Sequence, residues 1–163
     1  MGNTLSSAID IAITKEQEAY DFYMDLYNLV EDKEAKSTLK YIAQEEAKHK
    51  EFLKTCQEGQ FCSAVLKLET PVDYKIVEHM EKPDIKKNIK SSEVYLIAAN
   101  RELNAYNFYK SLAESHPAGD VKDLLNKMAS EEMKHKEKME YLYSNTAFPQ
   151  TAGGWSILTL FSQ

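Results

Sequence analysis

Two stretches of this chain carry the same carboxylate and imidazole side chains, all potential metal ligands, at the same spacing. Glu46-Ala47-Lys48-His49 and Glu132-Met133-Lys134-His135 are both Glu-x-x-His, and they lie 86 residues apart. Each has a glutamate 30 residues upstream, Glu16 for the first and Glu102 for the second. The surroundings of those glutamates repeat as well: Glu16-x-x-Ala-Tyr-x-Phe-Tyr23 returns as Glu102-x-x-Ala-Tyr-x-Phe-Tyr109. This is an internal duplication of one two-helix unit. Carboxylates and imidazoles are the ligands that iron and manganese prefer, and the set contains no thiolate. A structural zinc site would call for cysteines, and an HExxH zinc motif is missing.

Helical periodicity puts these polar residues where core residues belong. Leu5, Ile9, Ala12, Glu16, Ala19, Tyr23, Leu26 and Val30 follow steps of four and three, the spacing of a buried helical seam. A second seam runs Ala35, Leu39, Ile42, Glu46, His49, Leu53 and Cys56, with Asp32 as the expected N-cap. A third runs Tyr95, Ala98, Glu102, Ala105, Tyr109 and Leu112, and a fourth Val121, Leu125, Met128, Glu132, His135, Met139 and Leu142. Helices are expected over 4–30, from Asp32 to about Gln57, 92–114, and from about Val121 to Tyr143. Glu45 is rotated about 100° off its seam and is read, with Lys48, Lys50 and Glu51, as surface.

The midpoint of Glu16 and Glu46 is Glu31, and that of Glu102 and Glu132 is Pro117, each inside an expected turn. Within each hairpin the glutamate and the Glu-x-x-His therefore face each other at one height. Pairing the hairpins about a pseudo-twofold axis brings four glutamates and two histidines together. Four buried carboxylates without counter-charge are untenable, because desolvation and repulsion would protonate them or split the bundle. Two divalent cations balance them.

Length and composition agree with one helical domain. The chain has 163 residues with only five glycines and four prolines, enough to bury a core and poor in helix breakers. A net charge of -6, from 20 basic and 26 acidic residues, argues against nucleic acid as a partner. No stretch approaches a membrane span, and no signal peptide is evident. Cys56 and Cys62 form no CxxC. They are expected to be a packed helix-end thiol and a loop thiol, in keeping with a reducing, cytoplasmic compartment. A short helix is expected near 73–80 in the long connection, with His79 structural or exposed. His116 belongs to a turn. Residues 1–144 are expected to form the bundle, and 145–163 a tail whose apolar end, Trp155 to Phe161, docks on this subunit or another.

From about Ser7 to Tyr143 the sequence resembles the ferritin-like di-iron carboxylate proteins, most closely the rubrerythrin branch. That resemblance rests on the paired E-x-x-A-x-x-F-Y and E-x-x-H motifs. It implies an all-α ferritin-like bundle of two helical hairpins joined by a long crossover. It implies two iron ions, with manganese or a mixed pair as alternatives. Glu16 and Glu102 are then terminal carboxylates, Glu46 and Glu132 bridging ones, and His49 and His135 one imidazole per metal. The implied activity is reduction of hydrogen peroxide or O2 with an external electron donor such as a rubredoxin-like protein, in a homodimer. The alternative is a ferroxidase that oxidises ferrous iron without sustained turnover. Two departures bear on this choice. The chain carries no rubredoxin motif, and Ala105 stands where rubrerythrins place an extra glutamate on the third helix. Tyr20, Tyr23, Tyr106 and Tyr109 are candidates to hydrogen-bond the ligands or carry a radical, and for Tyr23 and Tyr109 plain seam packing with a satisfied hydroxyl is the expected reading.

Overall fold

The computed structural model describes residues 2–59 and 71–149. Four helices carry the fold: α1 (Gly2–Leu29), α2 (Lys33–Gln57), α3 (Ser91–Glu114) and α4 (Asp120–Ala147). α1 packs along α2 and α3 along α4, so the two halves of the duplication are two hairpins of one bundle. No strand occurs among the described residues. No helix there is long and apolar enough to cross a membrane.

Local chemistry sets the helix ends. The Asp32 side chain accepts from Ala35 N at 2.8 Å and caps α2 as expected. Lys36 Nζ donates to the carbonyls of Tyr27 and Val30, closing the end of α1 onto the start of α2. At the start of α3 the backbone N–H of Lys90 donates to the Glu93 carboxylate, the reaching-back half of a capping box. Gly119 turns the chain into α4 at φ 145°, a conformation that disfavours any side chain.

The seams form two apolar clusters, one at each end of the bundle. One gathers Tyr23, Leu26, Leu39, Ile42, Ile97 and Met139. The other gathers Ile9, Ala12, Leu53, Leu125 and Met128. The duplicated glutamates occupy the polar layer between them. Each seam residue stands on a 3.6-residue period, so one register decides both the apolar contacts and the glutamate positions.

Four expectations are corrected. Leu5 is 38 % exposed because the bundle core begins at Ala8 and Ile9. The helix expected over 73–80 is a single 3-10 turn, Val77–His79, since the preceding backbone is tied to α4 side chains instead. α4 runs one turn beyond Tyr143, to Ala147, with Tyr143 and Ser144 still buried. Cys56, buried at the end of α2, is disulfide-bonded rather than a packed thiol, which removes the cysteine-based argument for a reducing compartment. The other cysteine, Cys62, lies outside the described residues, as does the apolar tail segment from Trp155 to Phe161.

Candidate metal centre

All six repeated residues meet in the polar layer. Glu16, Glu46, Glu102 and Glu132 are each no more than 2 % exposed, and His135 is 6 % exposed. They form two overlapping groups. One is Glu16, Glu46, His49 and Glu132, and the other is Glu46, Glu102, Glu132 and His135; within each, the ligand-type atoms lie within 4.8 Å of one another. Glu46 and Glu132 belong to both groups, while the other four residues belong to one each.

The distances follow that division. His49 Nδ1 is 3.2 Å from Glu16 Oε2 and 3.3 Å from Glu46 Oε2. His135 Nδ1 is 3.1 Å from Glu46 Oε1 and 3.6 Å from Glu102 Oε2. Glu46 thus offers one oxygen to each imidazole. Glu132 does the same at longer range, Oε1 at 3.9 Å from His49 and Oε2 at 3.8 Å from His135. The two imidazoles stack at 5.3 Å between centroids. Both turn Nδ1 inward, and His49 Nε2 faces the carboxylate of Glu131 at 3.9 Å.

Two tyrosines hold the outer carboxylates. Tyr23 on α1 donates its hydroxyl hydrogen to Glu102 on α3, and Tyr109 on α3 donates to Glu16 on α1. The residues expected mainly to pack the seam do pack it, and they also cross-brace the two hairpins at the centre. Burial, followed by the charge of the adjacent glutamate, pushes both hydroxyls well above the ordinary tyrosine range, so each stays a hydrogen-bond donor. Tyr20 and Tyr106 are only partly buried against the two clusters.

Electrostatics show how the chain tolerates these charges without metal. Burial pushes Glu16 up to about 7, against the hydrogen bond from His49. Burial, then the charges of Glu46, Glu16 and Glu102, raises Glu132 well above the carboxylate range. For Glu46 burial acts in the same sense, but His135 and His49 outweigh it and hold the carboxyl below its usual value. Burial alone would lower His49, yet Glu16 and Glu46 drive it to about 9. His135 is raised in the same way by Glu102 and Glu46. Protons therefore stand in for cations, on both imidazoles and on part of the carboxylate set.

That substitution is incomplete. Both oxygens of Glu46, one each of Glu102 and Glu132, and Nδ1 of His135 are buried without an aligned hydrogen bond. Buried polar atoms are rarely left so, and these converge on two adjacent points. The donor set therefore fits a pair of metal ions, with carboxylate oxygens and one imidazole nitrogen for each.

A second polar cluster was not anticipated. Lys136 is fully enclosed and contacts Asp73 Oδ1 at 2.6 Å, Glu140 Oε1 at 2.8 Å and Glu78 Oε1 at 3.1 Å. Glu140 also accepts from Ile76 N and Val77 N. The crossover is thereby clasped to α4 beside His135. The only signal in the sequence is a break in the repeat, because Glu140 corresponds to Lys54. The other histidines lie outside both clusters: His79 is exposed, and His116 Nδ1 lies 2.8 Å from the Leu112 carbonyl at the end of α3. Glu45 is half-buried and pairs with Lys48 at 2.6 Å.

A four-helix bundle whose inner faces carry two Glu-x-x-His segments and two further glutamates has the ferritin-like architecture, with a carboxylate and imidazole cluster suited to metal. The family model described as Rubrerythrin matches residues 2–57 and 93–151, and the chain belongs to that family. No curated protein and no solved structure matches it.

Proposed function

We propose that the protein is a di-iron oxidoreductase that reduces hydrogen peroxide or O2 and is recharged by an external electron donor, such as a rubredoxin-like protein. The observation that carries this reading is the placement of Glu46 and Glu132. Each aims its two oxygens at two different imidazoles, as bridging carboxylates must. Glu16 with His49 and Glu102 with His135 would complete the two ligand sets. Oxygen-rich donors with one imidazole apiece favour iron, with manganese next. A bound iron pair supplies two electrons in one-electron steps at neighbouring metals, which suits cleavage of a peroxide bond.

The chain's own groups do the rest. Tyr109 and Tyr23 fix the orientation of Glu16 and Glu102 and keep their hydroxyl protons on the tyrosine oxygens. The apolar clusters above and below the layer exclude water from the centre. The histidines close the face toward Glu131, whereas the α1–α3 side opens into a cavity floored by Glu16, Glu102 and Glu132. A small oxidant would enter from that side. A homodimer in the cytoplasm completes the proposal on family resemblance.

Ala105 favours a second reading. It lines the open face and brings no carboxylate there, in contrast to the extra glutamate of rubrerythrins. Binding and oxidation of ferrous iron without sustained turnover follows if that carboxylate is indispensable. Anaerobic ferrous protein challenged with peroxide in the presence of a reductant separates the two. Many peroxides consumed per chain support the peroxidase, whereas a single oxidation followed by iron release supports iron handling.

A further inference from the structure

The cavity on the open face is larger than hydrogen peroxide or O2 requires, and three cationic side chains line it above the glutamate floor. Its volume is about 200 Å³, against roughly 30 Å³ for one water and about 300 Å³ or more for drug-sized pockets. It lies on the pseudo-twofold axis, so its walls come in pairs related by the duplication: Ala19 with Ala105, and Phe22 with Phe108. The small alanines leave the space open directly above the glutamate floor.

Its two cations are paired in the same way, and each reaches across to the other hairpin. Lys15 Nζ sits 5.1 Å from the Phe108 ring centroid, and the Arg101 guanidinium sits 4.4 Å from that of Phe22. The symmetry fails at one position. Lys15 is neutralised by Glu18 at 3.1 Å, but the residue matching Glu18 beside Arg101 is Asn104. Among the described residues Arg101 forms no ion pair, and its Nε is buried without a hydrogen-bond partner. Lys82 from the crossover adds another positive charge at the rim.

We propose that this cavity binds a short-chain aliphatic monocarboxylate on the open face of the centre. The carboxylate pairs with the planar fork of Arg101, for which its geometry is matched. The alkyl chain lies between Ala19 and Ala105 against the two phenylalanines. This inference rests on the metal reading, because the glutamate floor repels an anion until bound cations neutralise it. Binding is therefore linked to metal loading.

Anaerobic titration calorimetry of the full chain, first assayed for iron and then titrated with butyrate, tests it. With two ferrous ions per chain, one butyrate is expected to bind, and acetate about tenfold more weakly for want of two buried methylenes. Arg101→Gln should weaken butyrate at least tenfold and Arg101→Lys less, with iron content unchanged. Ala105→Leu should block butyrate by filling the cavity, again at full iron content. Iron-loaded protein that ignores butyrate, or binds it no better than acetate and regardless of Arg101, overturns the proposal and leaves the metal reading standing. A chain that takes up no iron overturns both, and the metal assay tells the two failures apart.

Discussion

The hydroxyl of Tyr109 on α3 is hydrogen-bonded to Glu16 on α1, and the duplication repeats this bond in reverse between Tyr23 on α1 and Glu102 on α3. Each hairpin therefore orients the outer carboxylate of the other. The centre is assembled between the hairpins rather than within either one.

Removing one such hydroxyl should loosen the metal without unfolding the bundle. Tyr109→Phe keeps the ring and its packing but removes the hydrogen bond to Glu16 Oε1, leaving that carboxylate oriented by His49 alone. Loss of a partner that orients a metal ligand typically costs about 10–100-fold in affinity. Tyr23→Phe should cost a similar factor, because the two sites are related by the repeat. Ferrous titration of both variants checks this, and unchanged affinity in both would refute the bracing role.

Stability of the metal-free protein should fall as pH rises. Glu16 is raised from 4.5 to about 7 and His49 from 6.5 to about 9 in the folded chain. A raised group stabilises the fold fully below its unfolded value, and that stability is lost as pH climbs through the folded value. The window is therefore pH 4.5 to about 9, with a loss on the order of a few kcal/mol. Glu46, held low, acts oppositely, and its contribution disappears as pH falls below the ordinary carboxylate range. Urea denaturation across this range should show the decline without metal and a flatter profile with it, since metal takes the place of the protons.

Lys136 anchors the crossover at a high stake. Lys136→Met leaves Glu140 buried at full enclosure without its counter-ion, and breaking a buried pair costs about 3–5 kcal/mol. Glu140→Gln should cost less, because the amide oxygen can still accept from Ile76 N and Val77 N. Denaturant midpoints of the two variants give the comparison. Equal losses would mean that the charge is not what matters.

The cap on α2 offers a control remote from the centre. Asp32→Ala removes the acceptor for Ala35 N and should cost about 1 kcal/mol, with iron stoichiometry unchanged.

The placement of Glu16, Glu46, His49, Glu102, Glu132 and His135 was legible in the sequence because helical period and duplication act together. A polar residue on an apolar seam is conspicuous, and its recurrence at one spacing sets the height at which the hairpins meet. Asp32 was legible for a local reason, since a cap depends on the next three residues alone. The Lys136 clasp was not legible. Its partners come from the crossover, which has no periodicity, and Lys136 matches Lys50, which is half-exposed and donates to Gln17 instead. Arg101 escaped notice for a related reason: its environment depends on Phe22, 79 positions away on the other hairpin. Each lies beside a position where the repeats differ, Lys54 against Glu140 for Lys136 and Glu18 against Asn104 for Arg101. Differences between the halves, more than their likenesses, mark what is particular to this chain.

The central claim is that Glu46 and Glu132 are shared between two metal positions. Anaerobic ferrous titration of the native chain beside Glu46→Ala, Glu16→Ala and Glu102→Ala, read as iron per chain, tests it most directly. The native chain should hold two irons. Glu16→Ala and Glu102→Ala should each weaken one position, and Glu46→Ala should weaken both. A native chain holding no iron, or a Glu46→Ala chain that loses only one, would contradict the bridged centre.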